Sequence, residues 1–475
     1  MNELKNTKII ATLGPATNTK EKILKLAQSG VDVFRLNFSH SNYELYTKLI
    51  NYIIEINNEN DLTIGILADL QGPKIRIGEV ATNGFDLIDG AIVNLSSDKK
   101  ISTSKNIYIS YDGMENDVEI GENIYIDDGK IKLEVTGKNK HGFVQAKVLK
   151  GGIVTARKGV NFPNTKMNLP SLTEKDYNDL HFILDKPVNW IALSFVRTAQ
   201  NLKDLRKIIK KSKHTAKIIA KIEKPEAVTN IKKILKYCDA IMVARGDLGV
   251  EIPIEELPGV QKYLIEISVK KSKVVIVATQ MMESMIHNST PTRAEVIDVS
   301  NAVLQGADAV MLSGETAMGE YPIEVVKTMS KILQGAEKSF KPSKDRSKPE
   351  AKCATFTSDI ICFNAAKISN EVNAKAIIGL TISGFTAFKV SSYRPNARIY
   401  IFSKVRSILC TLNLVRGVTG FYYNKNTNTE ETHANLVKIL KDKGLVSEGD
   451  IIVHTGSMPV FQKQRTNLIR VATVD

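Results

Sequence analysis

The sequence predicts an α/β protein built on a closed (β/α)8 barrel, with a β domain inserted into it and an open α/β sheet after it. Three observations predict this fold: eight short apolar runs separated by helical segments, an alternating β-rich insertion after the third run, and further strands beyond a charged linker. Unbroken apolar runs are typical of parallel strands that are covered on both faces. The chain has 475 residues, more than one hydrophobic core usually organises.

Each of the eight apolar runs ends next to a polar residue. The runs cover residues 8–11, 31–36, 63–68, 189–193, 217–220, 239–244, 274–278 and 307–312. The polar residues that follow them are Thr12, Asn37, Asp69, Ser194, Lys221, Arg245, Thr279 and Ser313. Active sites of (β/α)8 barrels lie at the carboxyl ends of the strands, so this arrangement predicts an enzyme.

An insertion follows the third run, because Gln71-Gly72-Pro73 interrupts the pattern and the fourth run starts only near residue 189. Residues 85–163 alternate apolar and polar side chains, which predicts antiparallel hairpins. Their turns are expected at Asp89-Gly90, Asp112-Gly113, Asp128-Gly129 and Gly151-Gly152. We expect residues 74–168 to form a small β-barrel-like domain over the strand ends, either as a moving lid or as a rigid decoration.

The barrel is expected to comprise residues 1–73 and 169–340, and Thr173 and Asp176 suit the start of the helix that resumes it. A linker rich in proline and charge spans residues 340–352. Beyond it, predicted strands at 376–380, 398–402, 450–454 and 468–474 alternate with helical stretches. Residues 341–475 are therefore expected to form a third, α/β domain, with possible effector and subunit contacts.

Composition narrows the class of protein. The net charge is +14 and 43% of the residues are hydrophobic, but the lysines are spread along helices, which is typical of a solvated surface that attracts small anions. No apolar run is long enough to cross a membrane, and no signal-peptide pattern is present. The four cysteines form no CxxC pair. We expect a cytoplasmic protein that binds neither nucleic acid nor membrane.

The fifth and sixth runs carry the clearest chemistry. Lys221 and Glu223 are two residues apart at a strand end, so their side chains can face the same side. Asp247 follows the next strand. Two carboxylates without histidine or cysteine favour Mg2+, and a lysine beside the metal suits phosphoryl transfer. The alternative is a structural Lys221–Glu223 ion pair inside the barrel.

The other strand ends add further polar groups around the same rim. Arg35 provides a second cation at the end of the second run. The remaining groups are hydroxyls, an amide, an imidazole and carboxylates, supplied by Asn37, Ser39, His40, Asp69, Thr279, Ser313 and Glu315.

Seven segments together resemble the pyruvate kinase family over nearly the whole chain. They are TKIIATLGPAT from Thr7, FRLNFSHS from Phe34, ADLQGPKIRIG from Ala68, KIEKPEAV from Lys221, MVARGDLGVEIP from Met242, ATQMMESM from Ala278 and PTRAEVIDVSNAVLQGADAVMLSGETAMGEYP from Pro291. The resemblance implies transfer of the phosphoryl group of phosphoenolpyruvate to ADP, followed by protonation of the enolate to pyruvate. It also implies a homotetramer.

The resemblance implies a role for each matching residue. Lys221 would stabilise the transferring group, Arg35 would hold the phosphate, and Glu223 and Asp247 would bind Mg2+. The backbone of Gly246 and Asp247 would bind the substrate carboxylate, with Thr279 beside it. Thr279, Ser313 and Glu315 would form the proton relay, whose final donor the sequence leaves open. The nucleotide, with a second Mg2+, would contact Asn37, His40, Arg76 and Lys158.

One departure concerns K+, which many family members bind through side chains matching Asn37, Ser39 and Asp69 and the carbonyl matching Leu70. K+-dependent members have glutamate where this chain has Lys74. An ammonium about 4 Å from a bound cation would repel it by about 4 kcal/mol at an effective dielectric constant of about 20. We expect activity without K+, the alternative being that Lys74 points to solvent and K+ still binds.

A second departure concerns regulation. The turn containing Thr381, Ser383, Gly384 and Thr386 matches a loop that binds sugar phosphates in regulated members, and its backbone N–H groups could hold a phosphate. Regulation by fructose 1,6-bisphosphate is not favoured, because Ile382 and Phe385 replace basic or polar residues. Two rival functions stay open: a Mg2+-dependent barrel lyase acting on pyruvate-like enolates without a nucleotide, and an inactive basic binding scaffold.

Overall fold

The computed structural model describes residues 5–40, 42–81, 83–138, 143–340, 348–349, 351, 354–425, 427–457 and 465–475, without the side chain of His40. Most of the predicted linker, together with Cys353, lies outside these residues. No helix in the described segments is both long and apolar enough to cross a membrane.

In the residues that the structure describes, the first part of the barrel has three strands and two α-helices. In chain order they are β1 (Lys8–Thr12), α1 (Lys20–Ser29), β2 (Val33–Asn37), α2 (Tyr43–Glu59) and β3 (Gly65–Asp69). The side chain of Thr19 caps α1, and the helix ends at Gly30, whose φ of 120° is a left-handed conformation that favours glycine. A single 3-10 turn, Phe38–His40, follows β2.

The described residues of the insertion, 74–81, 83–138 and 143–168, contain eight strands and one short helix. They are β4 (Phe85–Leu87), β5 (Ile92–Ser96), β6 (Asn106–Tyr108), α3 (Met114–Asp117), β7 (Asn123–Ile126), β8 (Ile131–Lys138), β9 (Val144–Lys150), β10 (Gly152–Val154) and β11 (Val160–Asn161). Six strands form one sheet in the order β11-β7-β8-β9-β5-β6, and β4 and β10 form a separate ribbon. The insertion has its own hydrophobic core, and we call it the lid.

Only one of the four predicted hairpin turns forms a hairpin. Asp128-Gly129 joins the antiparallel strands β7 and β8. The predictions at Asp89-Gly90 and Gly151-Gly152 are wrong, because the strands on either side pair with other partners. The prediction at Asp112-Gly113 is also wrong, since that pair leads into α3. Turn residues mark where the chain changes direction, but strand partners are chosen by packing in the core.

The barrel continues with five strands and nine helices. The strands are β12 (Trp190–Leu193), β13 (Lys217–Ile222), β14 (Ala240–Ala244), β15 (Val274–Ala278) and β16 (Ala309–Leu312). The helices are α4 (Glu174–Leu184), α5 (Ala199–Lys211), α6 (Pro225–Thr229), α7 (Ile231–Ile234), α8 (Arg245–Glu251), α9 (Leu257–Lys270), α10 (Arg293–Gln305), α11 (Gly314–Ala317) and α12 (Pro322–Ser339). Thr173 and Asp176 form the capping box of α4, as predicted.

The eight strands close into a parallel barrel in the order β1-β16-β15-β14-β13-β12-β3-β2, which confirms the predicted fold class. Because β3 pairs directly with β12, the lid is inserted between two neighbouring strands. Several strands run one or two residues further than predicted, so that Thr12, Asn37, Asp69 and Lys221 are strand residues. The boundaries of the three domains, at 73/74, 168/169 and 340/341, stay a prediction.

The C-terminal part is an open α/β sheet. Its elements are α13 (Phe356–Glu371), β17 (Ala376–Leu380), α14 (Phe385–Ser392), β18 (Arg398–Ser403), α15 (Arg406–Leu412), β19 (Val418–Tyr422), α16 (Thr429–Asp442), β20 (Ile451–Gly456) and β21 (Leu468–Thr473). The strand order is β19-β18-β17-β20-β21. The sequence analysis missed β19, an edge strand that is only partly buried and so lacks a continuous apolar run.

One hydrophobic cluster joins the inside of the barrel to the C-terminal sheet. It includes barrel residues such as Leu67 and Met242 and C-terminal residues such as Ile377 and Val453. The indole N–H of Trp190 donates to the carbonyl of Thr411 at 3.1 Å. The C-terminal part therefore covers the amino-terminal end of the barrel, and the opposite rim remains for the lid.

Candidate active site

Lys221 lies among two carboxylates and a hydroxyl at the carboxyl end of the barrel. Its Nζ is 3.0 Å from Glu223 Oε1 and 3.4 Å from Asp69 Oδ1, and it donates to Ser194 Oγ at 2.7 Å. Burial alone lowers the pKa of Lys221, but the charges of Asp69 and Glu223 outweigh it, so the pKa is raised. Lys221 is therefore a fixed ammonium at neutral pH.

Asp69 also fixes the second cation of the site. Arg35 Nε donates to Asp69 Oδ2 at 2.7 Å, and its Nη1 donates to Thr12 Oγ1 at 3.0 Å. Burial raises the pKa of Asp69, but the charges of Lys221 and Arg35 outweigh this effect and the pKa is lowered. One ionised carboxylate thus holds two cations at the barrel rim.

Glu223 and Asp247 are the candidate metal ligands. The carboxylate of Glu223 is buried and accepts a hydrogen bond from Phe195 N–H at 2.6 Å. Burial raises its pKa, Lys221 opposes this, and the negative charge of Asp247 raises it further, so that the net shift is upward. A divalent cation would relieve this repulsion, and oxygen-only ligands suit Mg2+.

The protein supplies few ligands for such a metal. In the part of the chain that the structure describes, no three His, Cys, Asp or Glu side chains are grouped so as to hold a metal ion. Mg2+ commonly binds through one or two carboxylates and completes its coordination with substrate phosphates and water. The pair Glu223 and Asp247 fits that mode of binding.

Thr279 and Gly246 meet at the ends of β15 and β14. The N–H of Gly246 donates to Thr279 Oγ1 at 2.7 Å, and Arg245 Nη2 donates to the carbonyl of Thr279 at 2.7 Å. Thr279 has a φ of 69°, which is strained for a β-branched residue. Such strain clusters at functional sites, because surrounding contacts must hold it.

Ser313 and Glu315 lie beyond the end of β16. The N–H of Ser313 donates to Glu315 Oε2 at 2.7 Å, and the N–H of Met282 donates to Glu315 Oε1 at 3.3 Å. Burial raises the pKa of Glu315, and the hydrogen bonds from backbone N–H groups only partly oppose it. This carboxyl group is thus biased toward holding a proton, as a member of a proton relay should be.

The lid brings two of the four predicted nucleotide contacts together. Arg76 and Gly159 form an antiparallel bridge, which places Arg76 near Lys158. Lys158 Nζ is 2.9 Å from Asp127 Oδ1, and Arg76 Nη1 donates to the carbonyl of Arg157 at 2.9 Å. The third, Asn37, is the last residue of β2, whereas the side chain of the fourth, His40, lies outside the described residues.

Asn37, Asp69 and the Leu70 carbonyl, three of the four groups of the monovalent-cation-type site, have partners inside the protein. The N–H of Ser39 donates to Asn37 Oδ1 at 3.3 Å, and Ser194 Oγ donates to the carbonyl of Leu70 at 2.7 Å. Lys74 Nζ lies 3.5 Å from Asp247 Oδ1 and is about one-third exposed. Lys74 therefore contacts a candidate Mg2+ ligand and does not simply point to solvent.

The predicted effector turn lies between β17 and α14. Thr381 Oγ1 accepts a hydrogen bond from Gly384 N–H at 3.0 Å, and Gly384 has a φ of 81°. Ser383 Oγ accepts from Phe385 N–H at 3.4 Å, and the hydroxyls of Thr386 and Thr466 are 2.7 Å apart. The turn forms, with its hydroxyls bonded inside the protein.

Some contributors to the site were missed in the sequence analysis. Ser194 and Thr12 were recognised only as polar residues after strands, although they bind Lys221 and Arg35. The N–H of Phe195, which binds Glu223, was not recognised at all. Phe195 has a φ of 52°, a backbone conformation that the identity of the residue does not predict. The two hydroxyls could have been found from their position at the same rim.

Comparisons with known proteins all find similarity to pyruvate kinases, and the similarity extends over almost the whole length of this chain. The family model "Pyruvate kinase, barrel domain" matches residues 4–326, and "Pyruvate kinase, alpha/beta domain" matches residues 359–472. The chain is 40% identical to a pyruvate kinase of Bacillus licheniformis, over 99% of this chain and 81% of that protein. It is also 40% identical to the enzyme of Buchnera aphidicola, over 100% of both. A crystal structure of a pyruvate kinase from Cryptosporidium parvum is similar with a TM-score of 0.93 and 34% identity, covering 99% of this chain and 97% of that one.

Proposed function

This chain belongs to the pyruvate kinase family, whose members are phosphotransferases that pass the phosphoryl group of phosphoenolpyruvate to ADP. We propose that four residues carry out this transfer with Mg2+: Lys221, Arg35, Glu223 and Asp247. The observation that carries the proposal is the position of Lys221 between Asp69 and Glu223 at the barrel rim. A preorganised ammonium there costs no reorganisation when charge develops in the transition state.

The chemistry is divided among the residues of the rim. The bond between phosphorus and the enol oxygen breaks while a β-phosphate oxygen of ADP bonds to phosphorus. Lys221 and Arg35 neutralise the negative charge of the moving group and hold donor and acceptor in line. Mg2+, when bound by Glu223 and Asp247, supplies further positive charge at the phosphoryl oxygens.

The substrate carboxylate and the enolate occupy the neighbouring strand ends in this proposal. The N–H groups of Gly246 and Asp247 orient the carboxylate, replacing the bond that Gly246 makes to Thr279. The enolate carbon then takes up one proton and becomes the methyl group of pyruvate. Thr279, Ser313 and Glu315 form the relay, and the raised pKa of Glu315 supports its part in it.

The proposal also covers the nucleotide contacts of the lid, the oligomeric state of the protein and its location in the cell. Arg76 and Lys158 would bind the phosphates of ADP with a second Mg2+, together with Asn37 and His40. We propose a homotetramer, which sedimentation velocity would detect. We also propose a cytoplasmic location, since the thiols of Cys238 and Cys362 are free and buried, as is usual in a reducing compartment.

A coupled assay tests this function. Purified protein with phosphoenolpyruvate, ADP and Mg2+ should release pyruvate. The release is measured through the reduction of pyruvate by lactate dehydrogenase. Omitting ADP, or chelating Mg2+, should abolish the release. Pyruvate formed at the full rate without ADP would favour a barrel lyase, and no turnover with salt-sensitive RNA capture would favour a binding scaffold.

We further propose that activity does not require K+. Three cations already neutralise the carboxylates near the site: Arg35 and Lys221 pair with Asp69, and Lys74 lies beside Asp247. In tetramethylammonium buffer free of K+ and Na+, the rate should therefore be independent of added KCl. Lys74→Glu should lower the rate and make it K+-dependent. Lys100→Glu, the same charge change at an exposed lid position, is the control, and strong K+ stimulation of the parent would refute the proposal.

The effector turn is proposed as a binding site for a sugar monophosphate or a nucleotide, not for fructose 1,6-bisphosphate. Its support is the left-handed conformation of Gly384 just before α14, because turns of this kind can hold an anion through backbone N–H groups. A change of activity on adding a sugar monophosphate or nucleotide, lost in Gly384→Ala, would establish it. No response to any of these ligands would refute it.

A further inference from the structure

Three buried polar residues meet where the lid contacts the barrel. Asn161 ends β11 of the lid, Glu251 ends α8, and Lys224 follows β13. Asn161 Nδ2 and Lys224 Nζ both donate to Glu251 Oε1, each at 2.7 Å. The three residues are 8%, 4% and 4% exposed. We call this group the latch.

Burying the carboxylate of Glu251 is energetically unfavourable, so this group depends on its hydrogen bonds to Asn161 and Lys224. Burial raises the pKa of Glu251, and the ammonium of Lys224 only partly opposes it. The other carboxylate oxygen, Oε2, is buried and has no hydrogen-bond partner in the described part of the chain. Losing the bond from Asn161 would leave a buried carboxylate even less satisfied, which is unfavourable.

The latch joins the two elements that hold the two substrates of transfer. Lys158, the candidate nucleotide contact, is three residues before Asn161 in the same lid segment. Asp247, the candidate Mg2+ ligand, is four residues before Glu251 in α8. Residues four apart in a helix lie on the same face. The lid lies close to this helix at a second place, where Gly129 faces Val250. A β-carbon built on Gly129 would be in van der Waals contact with Val250 Cγ1, at 3.8 Å.

We propose that Asn161 is a positioning residue for phosphoryl transfer. Through its hydrogen bond to Glu251, it holds the nucleotide-binding segment of the lid against the helix that carries Asp247. Lys224 keeps Glu251 available as the acceptor. This inference rests on the proposed function, since it assigns the lid to ADP and the barrel rim to phosphoenolpyruvate.

The first test separates ADP binding from phosphoenolpyruvate binding. Asn161→Ala should raise KM for ADP about 10-fold, the cost of one hydrogen bond to a charged group. KM for phosphoenolpyruvate should stay close to that of the parent, because Lys221 and Arg35 are held by residues of the barrel alone. Asn94→Ala is the matched control, since Asn94 bonds Asn106 within the lid. Its KM values should equal those of the parent.

The second test uses rescue and leaves Asn161 unchanged. Lys224→Met leaves the Glu251 carboxylate without its cation and should raise KM for ADP. The double variant Lys224→Met with Glu251→Gln should restore it, since the amide oxygen of Gln can accept the bond from Asn161 without a buried charge. Thermal melting of each variant shows whether it is folded.

The outcomes are distinct. A parent that releases no pyruvate in the presence of ADP refutes the proposed function, and with it the role of the lid. An active parent with Asn161→Ala unchanged in KM for ADP refutes the latch alone. An equal rise of both KM values, with a lower melting temperature, would mean that the latch only stabilises the fold. No rescue by the double variant would also overturn the proposal.

Discussion

At the scale of single residues, the site is a balance of buried charges. Asp69 carries one negative charge between Arg35 and Lys221, and Glu223 and Asp247 carry two more. The cations Arg35 and Lys221 lower the pKa of Asp69, and the carboxylates Asp69 and Glu223 raise the pKa of Lys221, so replacing one of these groups changes its neighbours. Such mutual stabilisation keeps the cations charged and in place before substrate arrives, which is what preorganised electrostatic catalysis needs.

Replacing Lys221 tests this balance directly. Lys221→Met should lower kcat by about 10³- to 10⁵-fold, the effect of losing a fixed cation at a phosphoryl transition state. Lys221→Arg, which keeps the charge but moves it, is the control and should be less impaired. Steady-state kinetics with the coupled assay measures both. A Lys221→Met enzyme that turned over like the parent would falsify the role proposed for this ammonium.

At the scale of elements, β20 and α16 carry a pair of histidines apart from the active site. His454 Nδ1 and His433 Nδ1 are 2.8 Å apart, and both rings border a cavity in the C-terminal sheet. Burial, with smaller effects from His433 and Arg470, lowers the pKa of His454 to about 3. The folded protein therefore holds His454 neutral, whereas the unfolded chain takes up a proton below about pH 6.5.

The sign of the pH effect follows from this difference. Stability from His454 is fully present above about pH 6.5 and falls by about 1.4 kcal/mol for each pH unit below it, until the folded-state pKa is approached. Between pH 7.5 and pH 5.5, the melting temperature of His454→Leu should therefore decrease less than that of the parent. His181→Leu, at an exposed position, is the control. Equal acid sensitivity of parent and His454→Leu, measured by calorimetry, would contradict the prediction.

At the scale of the whole molecule, the barrel and the C-terminal sheet share a core and a buried ion pair. Arg394, which lies between α14 and β18 of the C-terminal part, donates to both carboxylate oxygens of Asp308 in the barrel, at 2.7 and 2.8 Å. Both residues are buried. Trp190, the single tryptophan of the chain, lies at the same junction and bonds Thr411. Its fluorescence therefore reports whether the two parts are in contact.

Breaking the ion pair should loosen this junction. Arg394→Leu removes both hydrogen bonds that its guanidinium makes to the buried Asp308 and leaves Arg416 as the neighbouring cation. Breaking a buried pair in this way costs about 3 to 5 kcal/mol. Trp190 emission should then shift to longer wavelength at a lower urea concentration than in the parent. Arg470→Leu removes the exposed pair with Glu430, worth about 0 to 1 kcal/mol, and serves as control. Identical midpoints for the two variants would show that the buried pair does not hold the junction.

The sequence alone determined the class of fold and the rim where the chemistry lies. Buried parallel strands must be apolar along their whole length, so β1 to β3 and β12 to β16 could be recognised from local runs. Functional side chains of a barrel lie after those runs, and the candidate residues Lys221, Glu223 and Asp247 were predicted in this way. The partly buried β19 could not, because it has no continuous apolar run.

Only the tertiary structure decided which groups pair across long stretches of chain. Nothing near Lys74 in sequence indicates that its ammonium lies beside Asp247, and nothing near Asn161 indicates its bond to Glu251. Three of the four turn pairs of the lid likewise failed to form hairpins. Local patterns encode periodicity and direction, whereas partners are set by how the whole core packs and by which buried charges must be neutralised.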